Sequence, residues 1–165
     1  MTNVGLLVNM GNPSNVSQRR DAETSAPALG VNLITIDAHS PEDIDGAFQT
    51  FTRERSEFVV VLSDLLFSTN RRRLADTATA SRLPTIYGLR EHADAGGLIS
   101  YGIAILENWR RSAYFVDRIL KGSKPADLPV EVPTNFELVI NLKAAKEIGL
   151  TVPPSLLAIA DDVIE

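Results

Sequence analysis

Two Tyr-Gly pairs end two neighbouring apolar runs and mark the stretch of the chain best suited to contact a ligand. The runs, residues 83–87 and 97–101, are short and rich in Ile, Leu and Tyr, which predicts buried strands of a parallel sheet. Ligands of such sheets bind beyond the carboxyl ends of the strands. We therefore expect one crevice bordered by Tyr87, Gly88, Ser100, Tyr101 and Gly102.

Polar side chains follow two further predicted strands. Asn12, Ser14 and Asn15 lie at the start of a predicted helix, where free backbone N–H groups and the helix dipole favour a carboxylate. Asp64 follows Ser63 directly beyond the strand predicted over residues 58–62, and its carboxylate could accept hydrogen bonds from an ammonium group.

The two tyrosines add surfaces for an apolar or aromatic ligand side chain, and Gly88 and Gly102 would let a ligand approach the backbone. Together these residues suit an amino acid or a similar small zwitterion. A purely structural interpretation stays open, in which Asn12 and Asp64 only cap helices and Tyr87 and Tyr101 belong to the core.

Residues that could catalyse a reaction are scarce. The chain has two histidines and no cysteine, and neither His39 nor His92 lies in a G-x-S-x-G elbow or an H-E-x-x-H motif. The turn NMGNPSN lacks the glycine pattern of a phosphate loop. Asp64 occupies the position of a phosphorylated aspartate in flavodoxin-like signalling domains, but the carboxylates that would hold Mg²⁺ are missing after the first strand. We predict no catalytic residue, metal or cofactor.

Composition is that of an ordinary globular protein: of 165 residues, 44% are hydrophobic and 22% are charged. The net charge of −5 gives no basic surface for nucleic acid. Residues 1–10 carry no positive charge, and the apolar run 4–8 is too short for a signal-peptide core.

The pattern along the chain alternates strands and helices. Strands are predicted at 3–8, 31–36, 58–62, 83–87, 97–101 and 136–140. Helices are predicted at 13–29, from residue 41 through residue 51, and at 66–80, 103–121, 142–148 and near the carboxyl terminus. This order predicts an α/β fold with a mainly parallel, Rossmann-like (flavodoxin-like) sheet flanked by helices.

Three segments carry a resemblance to a known family: VGLLVNMGNPSN, VVVLSDLLFSTNRRRLAD and the carboxy-terminal FVDRILKGSKPADLPVEVPTNFELVINLKAAKEIGLTVPPSLLAIADDVIE. They resemble substrate-binding proteins of ABC transporters, in the family described as an uncharacterised transport system, periplasmic component. The resemblance implies a type I periplasmic-binding-protein fold, in which two lobes hold a small molecule for delivery to a membrane permease. It also implies an extracytoplasmic location and an export signal upstream.

Relative to that family, the chain corresponds to a carboxy-terminal portion without the first lobe. We predict a ligand-binding lobe over residues 1–102 and an arm over residues 103–165, formed by a long helix, a proline-rich connector and a strand with helices, that crosses between lobes. The apolar faces of this arm would lack a partner, so we expect a homodimer that covers them.

The predicted function is therefore non-enzymatic solute binding with an amino acid as the ligand. The resemblance adds aromatic amino acids as a candidate class, because some members of that family handle them. The alternative is a cytosolic α/β module of flavodoxin-like fold that binds a small ligand or another protein for regulation.

Overall fold

The protein is described by a computed structural model over residues 2–165. Its strands form one seven-stranded sheet in the order β2-β1-β3-β4-β5-β6-β7. Only the β5–β6 pair is antiparallel. The predicted α/β class with a mainly parallel sheet is confirmed. The strands are β1 (Thr2–Val8), β2 (Val31–Asp37), β3 (Phe58–Val61), β4 (Thr85–Tyr87), β5 (Ile99–Ile103), β6 (Phe136–Asn141) and β7 (Asp162–Ile164).

Eight α-helices connect or flank these strands within residues 2–165. Two of them start where the sequence predicts, with a capping residue followed by proline. Asn12 accepts a hydrogen bond from the Ser14 N–H, and Ser40 forms a capping box with Asp43. The helices are α1 (Pro13–Ser25), α2 (Pro41–Arg53), α3 (Leu65–Thr69), α4 (Arg71–Ala80), α5 (Arg90–Asp94), α6 (Ile105–Leu120), α7 (Leu142–Glu147) and α8 (Pro154–Leu157).

The main core lies between one face of the sheet and helices α2, α3 and α4. Helix α2 buries Ile44, Ala47, Phe48 and Phe51, which recur at three- and four-residue spacing and so share one face of the helix. Gly5 of β1 makes this packing possible, because a Cβ atom there would lie 2.8 Å from the Phe51 ring. The tight seating of α2 fixes the ends of β1 and β3 beside each other.

Two predicted helices differ in the structure. The helix predicted over 66–80 is two helices that meet at Asn70, whose backbone leaves the helical region while its side chain donates to the Leu66 carbonyl at 2.8 Å. An asparagine that bonds nearby carbonyls competes with the helix in this way. Arg71, Arg72 and Arg73 therefore start α4 and do not lie in the middle of a longer helix.

The last residues of the chain, predicted to end in a short helix, form a short helix followed by a strand. After α8, residues Asp162–Ile164 form β7, parallel to β6. Val163 and Ile164 are β-branched and suit a strand. Arg90 at the start of α5 fixes this end of the chain, because its guanidinium pairs with Asp162 and lies 3.6 Å from Glu137 on β6.

Strands β6 and β7 thus extend the sheet that holds β1–β5, while α6 and the proline-rich connector project from it. Because β6 and β7 belong to the sheet, we restrict the name arm, first used for residues 103–165, to α6 and residues 121–135. Its root is a hydrogen bond of 3.0 Å from the Ala104 N–H to the Asn135 carbonyl. The division of the chain into a lobe over 1–102 and the remainder stays a prediction about function.

Two glycines at the carboxyl ends of β4 and β5 bring the backbones together. A Cβ atom on Gly102 would lie 1.9 Å from the Gly88 carbonyl oxygen, and one on Gly88 would lie 2.4 Å from the Ser63 Oγ. No side chain can occupy the first position without moving backbone. The absence of side chains at Gly88 and Gly102 therefore allows the end of β5 to lie directly against the loop after β4.

Replacing Gly102 with alanine tests this contact. We expect Gly102→Ala to lower the free energy of unfolding by about 2–3 kcal/mol, because the methyl group overlaps the Gly88 backbone. Gly46→Ala is the control, since a Cβ atom there meets nothing within 4 Å, and it should stabilise α2 by about 0.5–1 kcal/mol. Urea denaturation measures both. Equal effects of the two substitutions would contradict the proposed overlap.

Candidate ligand-binding site

The carboxyl ends of β1–β5 form one edge of the sheet, and the polar residues predicted from the sequence lie along it or just beneath it. We call this region the strand-end surface and define it as residues 9–15, 37–40, 62–66, 88–90 and 101–104. Parallel sheets of this type bind ligands at this edge.

Asp64 is the centre of the strand-end surface. Its carboxylate accepts hydrogen bonds from Asn9 Nδ2 at 3.0 Å, from Asn12 Nδ2 at 2.8 Å and from the Leu66 N–H at 2.8 Å. Burial raises the pKa of Asp64, but these hydrogen bonds outweigh it and the pKa is lowered from its ordinary value. The side chain is therefore a carboxylate at neutral pH. Within residues 2–165, no basic side chain forms an ion pair with it.

Asn15 joins the loop after β1 to the loop after β3. It is the one buried residue of α1, and its Oδ1 accepts from the Asn9 N–H at 3.1 Å while its Nδ2 donates to the Ser63 carbonyl at 3.0 Å. Both ends of this amide are used inside the protein. Asn15, predicted as a ligand contact, therefore holds the two loops together in this structure.

The backbone N–H groups at the start of α1 already donate hydrogen bonds within the protein. Each N–H from residue 9 to residue 15 bonds an acceptor within the protein, and Pro13 has none to offer. Asn12 Oδ1 takes the Ser14 N–H at 3.0 Å. A ligand carboxylate predicted at this helix start would have to displace that cap. Near this helix start, Ser14 and Ser63 are exposed, so their hydroxyls can face a ligand.

Two residues that sequence reasoning did not select support this arrangement. Asn9 donates to Asp64 and its Oδ1 accepts from the Gly11 N–H at 3.0 Å. Asp37, at the end of β2, accepts from the Met10 N–H at 2.9 Å and contacts His39 Nε2 at 2.9 Å. The available signal for both was their position directly at or after a predicted strand.

Tyr87 and Ser100 lie in the core and not on the strand-end surface. Each is only 1% exposed. The Tyr87 ring stacks on His92 with centroids 4.8 Å apart, and burial raises the pKa of its phenol. Neither hydroxyl has a hydrogen-bond partner within residues 2–165. A ligand could touch these two side chains only if the lobe opened.

Tyr101 is exposed, as expected for a ligand contact, and it has an unpredicted neighbour. Its ring stacks on Phe136 at a centroid distance of 5.9 Å, and both side chains are more than half exposed. Phe136 starts β6, opposite Ile103 at the end of β5. The two rings form an apolar area beside the strand ends. Gly88 and Gly102 lie in the same region, where they contact each other.

No group of three or more His, Asp or Glu side chains within residues 2–165 is placed to hold a metal ion. Besides Asp37, His39 and Arg90, the strand-end surface therefore offers the Asp64 carboxylate with the amides that orient it, two exposed hydroxyls and the Tyr101 ring, which lies beside Phe136. Such a set can bind a small molecule by hydrogen bonds and apolar contact.

Comparison with known proteins agrees with this fold. The family model for ABC transporter substrate binding proteins matches residues 1–164. The chain belongs to this family. Among curated proteins, none matches the chain.

Solved structures are similar over nearly the whole chain. A conserved domain protein from Vibrio cholerae has 26% identity and a TM-score of 0.88, over 98% of this chain and 54% of its own length. An ABC domain from Streptococcus pneumoniae in complex with L-Trp has 26% identity and a TM-score of 0.86, over 99% and 55%. A substrate-binding protein from Clostridium difficile, 16% identical, shares the fold with a TM-score of 0.75, over 99% and 54%. The chain spans about half the length of these structures.

Buried His92 predicts a pH-dependent stability. Its Nδ1 lies 3.3 Å from the Leu89 carbonyl and its Nε2 has no partner within residues 2–165. Burial lowers the pKa of His92, more than the Leu89 carbonyl raises it. As pH falls through about 6.5, the unfolded chain binds a proton that the folded chain does not, so the free energy of unfolding should decrease.

Urea denaturation at several pH values between about 7.5 and 5.5 measures this effect in the wild type and in His92→Gln. The variant should lose part of the pH dependence, whereas His39→Gln, which removes an exposed imidazole, serves as the control. An unchanged pH dependence in His92→Gln would show that His92 is not the group responsible.

Proposed function

We propose that this lobe binds the ammonium group of a small solute through Asp64 and contributes half of a ligand site in an ABC transport system. The observation that carries the proposal is an ionised carboxylate on the strand-end surface that is hydrogen-bonded by neutral amides and by no cation. A carboxylate offers about four lone-pair sites, and three are occupied in Asp64.

An ammonium group fits this environment for an energetic reason. An ammonium group adds the attraction of a full positive charge to its hydrogen bond with the carboxylate, so a ligand can take the open position on Asp64 or compete there with an asparagine amide. Asn9 and Asn12 hold the carboxylate in place before the ligand arrives. This preorganisation lowers the cost of binding.

An amino acid is the solute class that we favour, and an aromatic one in particular. Tyr101 and Phe136 offer an apolar surface near the strand ends, and a protein 26% identical to this chain was solved with L-Trp. The hydroxyls of Ser14 and Ser63 would meet polar parts of the ligand. Because such sites close between two lobes, we expect binding by one lobe to be weak.

Titration followed by NMR tests the ammonium contact even at weak affinity. L-Trp and tryptamine, which have the ammonium group, should shift signals of the strand-end surface, while N-acetyl-L-Trp should not. Asp64→Asn should weaken L-Trp binding at least tenfold, roughly the loss of one charged hydrogen bond. Asp76→Asn, at an exposed position of α4, is the matched control. Equal binding of N-acetyl-L-Trp would show that Asp64 does not select an ammonium group.

Transport supplies the biological context of the proposal. Members of this family are normally extracytoplasmic and act with a membrane permease, and we propose the same partner and location for this chain. Within residues 2–165, none of the helices has the length and apolar character needed to cross a bilayer.

We also propose that the arm associates with a second copy of the chain. No residue of α6 is buried, and its exposed large side chains include Trp109 and Leu120. Exposed apolar surface of this extent usually marks an interface. Light scattering at micromolar concentration should give twice the mass of one chain. A mass equal to one chain would exclude the dimer.

A further inference from the structure

The hydrogen-bond donors around Asp64 are used within the protein, whereas its carboxylate can still accept. The three asparagine side chains after β1 donate to Asp64 or to the Ser63 carbonyl. The backbone N–H groups at the start of α1 are bonded as well. The three hydrogen bonds to Asp64 fill three of about four lone-pair sites. A ligand thus meets an open acceptor here more readily than an open donor.

The cationic side chains of the strand-end surface are paired with carboxylates. His39 Nε2 lies 2.9 Å from Asp37. The Arg90 guanidinium pairs with Asp162 and lies 3.6 Å from Glu137, so at least two carboxylates share one guanidinium. Within residues 2–165, the strand-end surface has no further cationic side chain. A ligand carboxylate would therefore have to compete with carboxylates of the protein for either cation.

The covalent structure of an amino acid brings its two charges close together. Ammonium and carboxylate are attached to the same carbon atom, so an ammonium bound to Asp64 carries the ligand carboxylate to within a few ångströms of the Asp64 carboxylate. Like charges at such a distance repel each other. Asp37 adds to the negative potential at the same edge of the sheet. The carboxylate is therefore a burden for binding to this lobe.

We propose that this lobe recognises the ammonium group alone and repels the carboxylate of an amino-acid ligand. The ligand class of the lobe by itself is then primary amines with an apolar or aromatic side chain. In the complete site, the carboxylate of an amino acid points away from the strand-end surface, and the other half of the site recognises it. This inference rests on the ammonium contact proposed for Asp64 and adds the orientation of the ligand.

Four ligands with the same indole ring separate the two charges. Tryptamine has only the ammonium, L-Trp has both charges, L-tryptophanamide has a neutral amide in place of the carboxylate, and indole-3-propionate has only the carboxylate. NMR titration of the whole chain at about pH 6.5, where the amines are protonated, gives the dissociation constants. Tryptamine and L-tryptophanamide should agree within about threefold and bind at least about fivefold more tightly than L-Trp. Indole-3-propionate should shift no signal.

Salt and one matched pair of variants identify the source of the preference. Salt at about 0.5 M screens charges, so the constants of L-Trp and L-tryptophanamide should approach each other. Asp64→Asn removes the repelling charge together with the ammonium partner, so these two ligands should bind weakly and within about twofold of each other. Asp76→Asn makes the same change at an exposed site of α4 and should keep the preference.

The outcomes distinguish this inference from the ammonium contact on which it rests. Wild-type binding of L-Trp as tight as that of L-tryptophanamide, or tighter, would overturn the repulsion while the ammonium contact stands. A preference that persists in Asp64→Asn would also overturn it, because another group would then cause the difference. Equal binding of indole-3-propionate and tryptamine would overturn both proposals, and so would the absence of shifts with all of the ligands.

Discussion

The hydrogen bonds between Asp64 and the amides of Asn9 and Asn12 hold the strand-end surface together. They join the loop after β1 to the loop after β3, and Asn15 adds a second link through the Ser63 carbonyl. Because two of the connected groups are neutral amides, the charge of Asp64 is oriented without being neutralised. Asp64 thus keeps its negative charge available to a ligand at a fixed place.

The same bonds explain why some expected ligand contacts are absent from the surface. All six backbone N–H groups between Asn9 and Asn15 are used internally, so the helix start of α1 is closed by its own cap. A zwitterion could use this start only by moving Asn12, whose amide bonds both Asp64 and the Ser14 N–H. An ammonium at Asp64 would compete with that amide. Binding of the two ends of a zwitterion would then be coupled through Asn12.

Much of the fold follows from local sequence signals. Asn12-Pro13 and Ser40-Pro41 start helices because cap and proline chemistry are local, and the spacing of Ile44, Ala47, Phe48 and Phe51 identifies the buried side of α2. The break at Asn70 and the last strand, β7, were not predictable in this way. The break rests on a local bond from the Asn70 side chain to the Leu66 carbonyl, which the helical spacing of the neighbouring residues does not reveal. The strand β7 depends on contacts that form only in the folded chain, namely its pairing with β6 and the pairing of Asp162 with Arg90.

The candidate site was predictable in position more than in detail. Strand ends place Asp64 and Tyr101 at the right edge, but alternation along a short strand does not say which tyrosine faces the core. Tyr87 turns inward against His92, and Tyr101 turns outward beside Phe136, which lies 35 residues later in the chain. Residue type could not separate these two Tyr-Gly pairs, because the difference arises from the sheet neighbours.

The lobe and the arm differ in how much of their apolar surface is buried, and this difference determines how each can bind other molecules. In the lobe, Gly102 and Gly88 touch and the apolar side of α2 (Ile44, Ala47, Phe48 and Phe51) is buried, so the strand-end surface rests on a tightly packed base. In the arm, α6 buries no residue and is attached through one short segment on each side of the Ala104–Asn135 hydrogen bond. Apolar surface of that kind remains exposed only at a free-energy cost. The arm is therefore the part of the chain whose structure depends on a partner, whereas the geometry around Asp64 is set within the lobe.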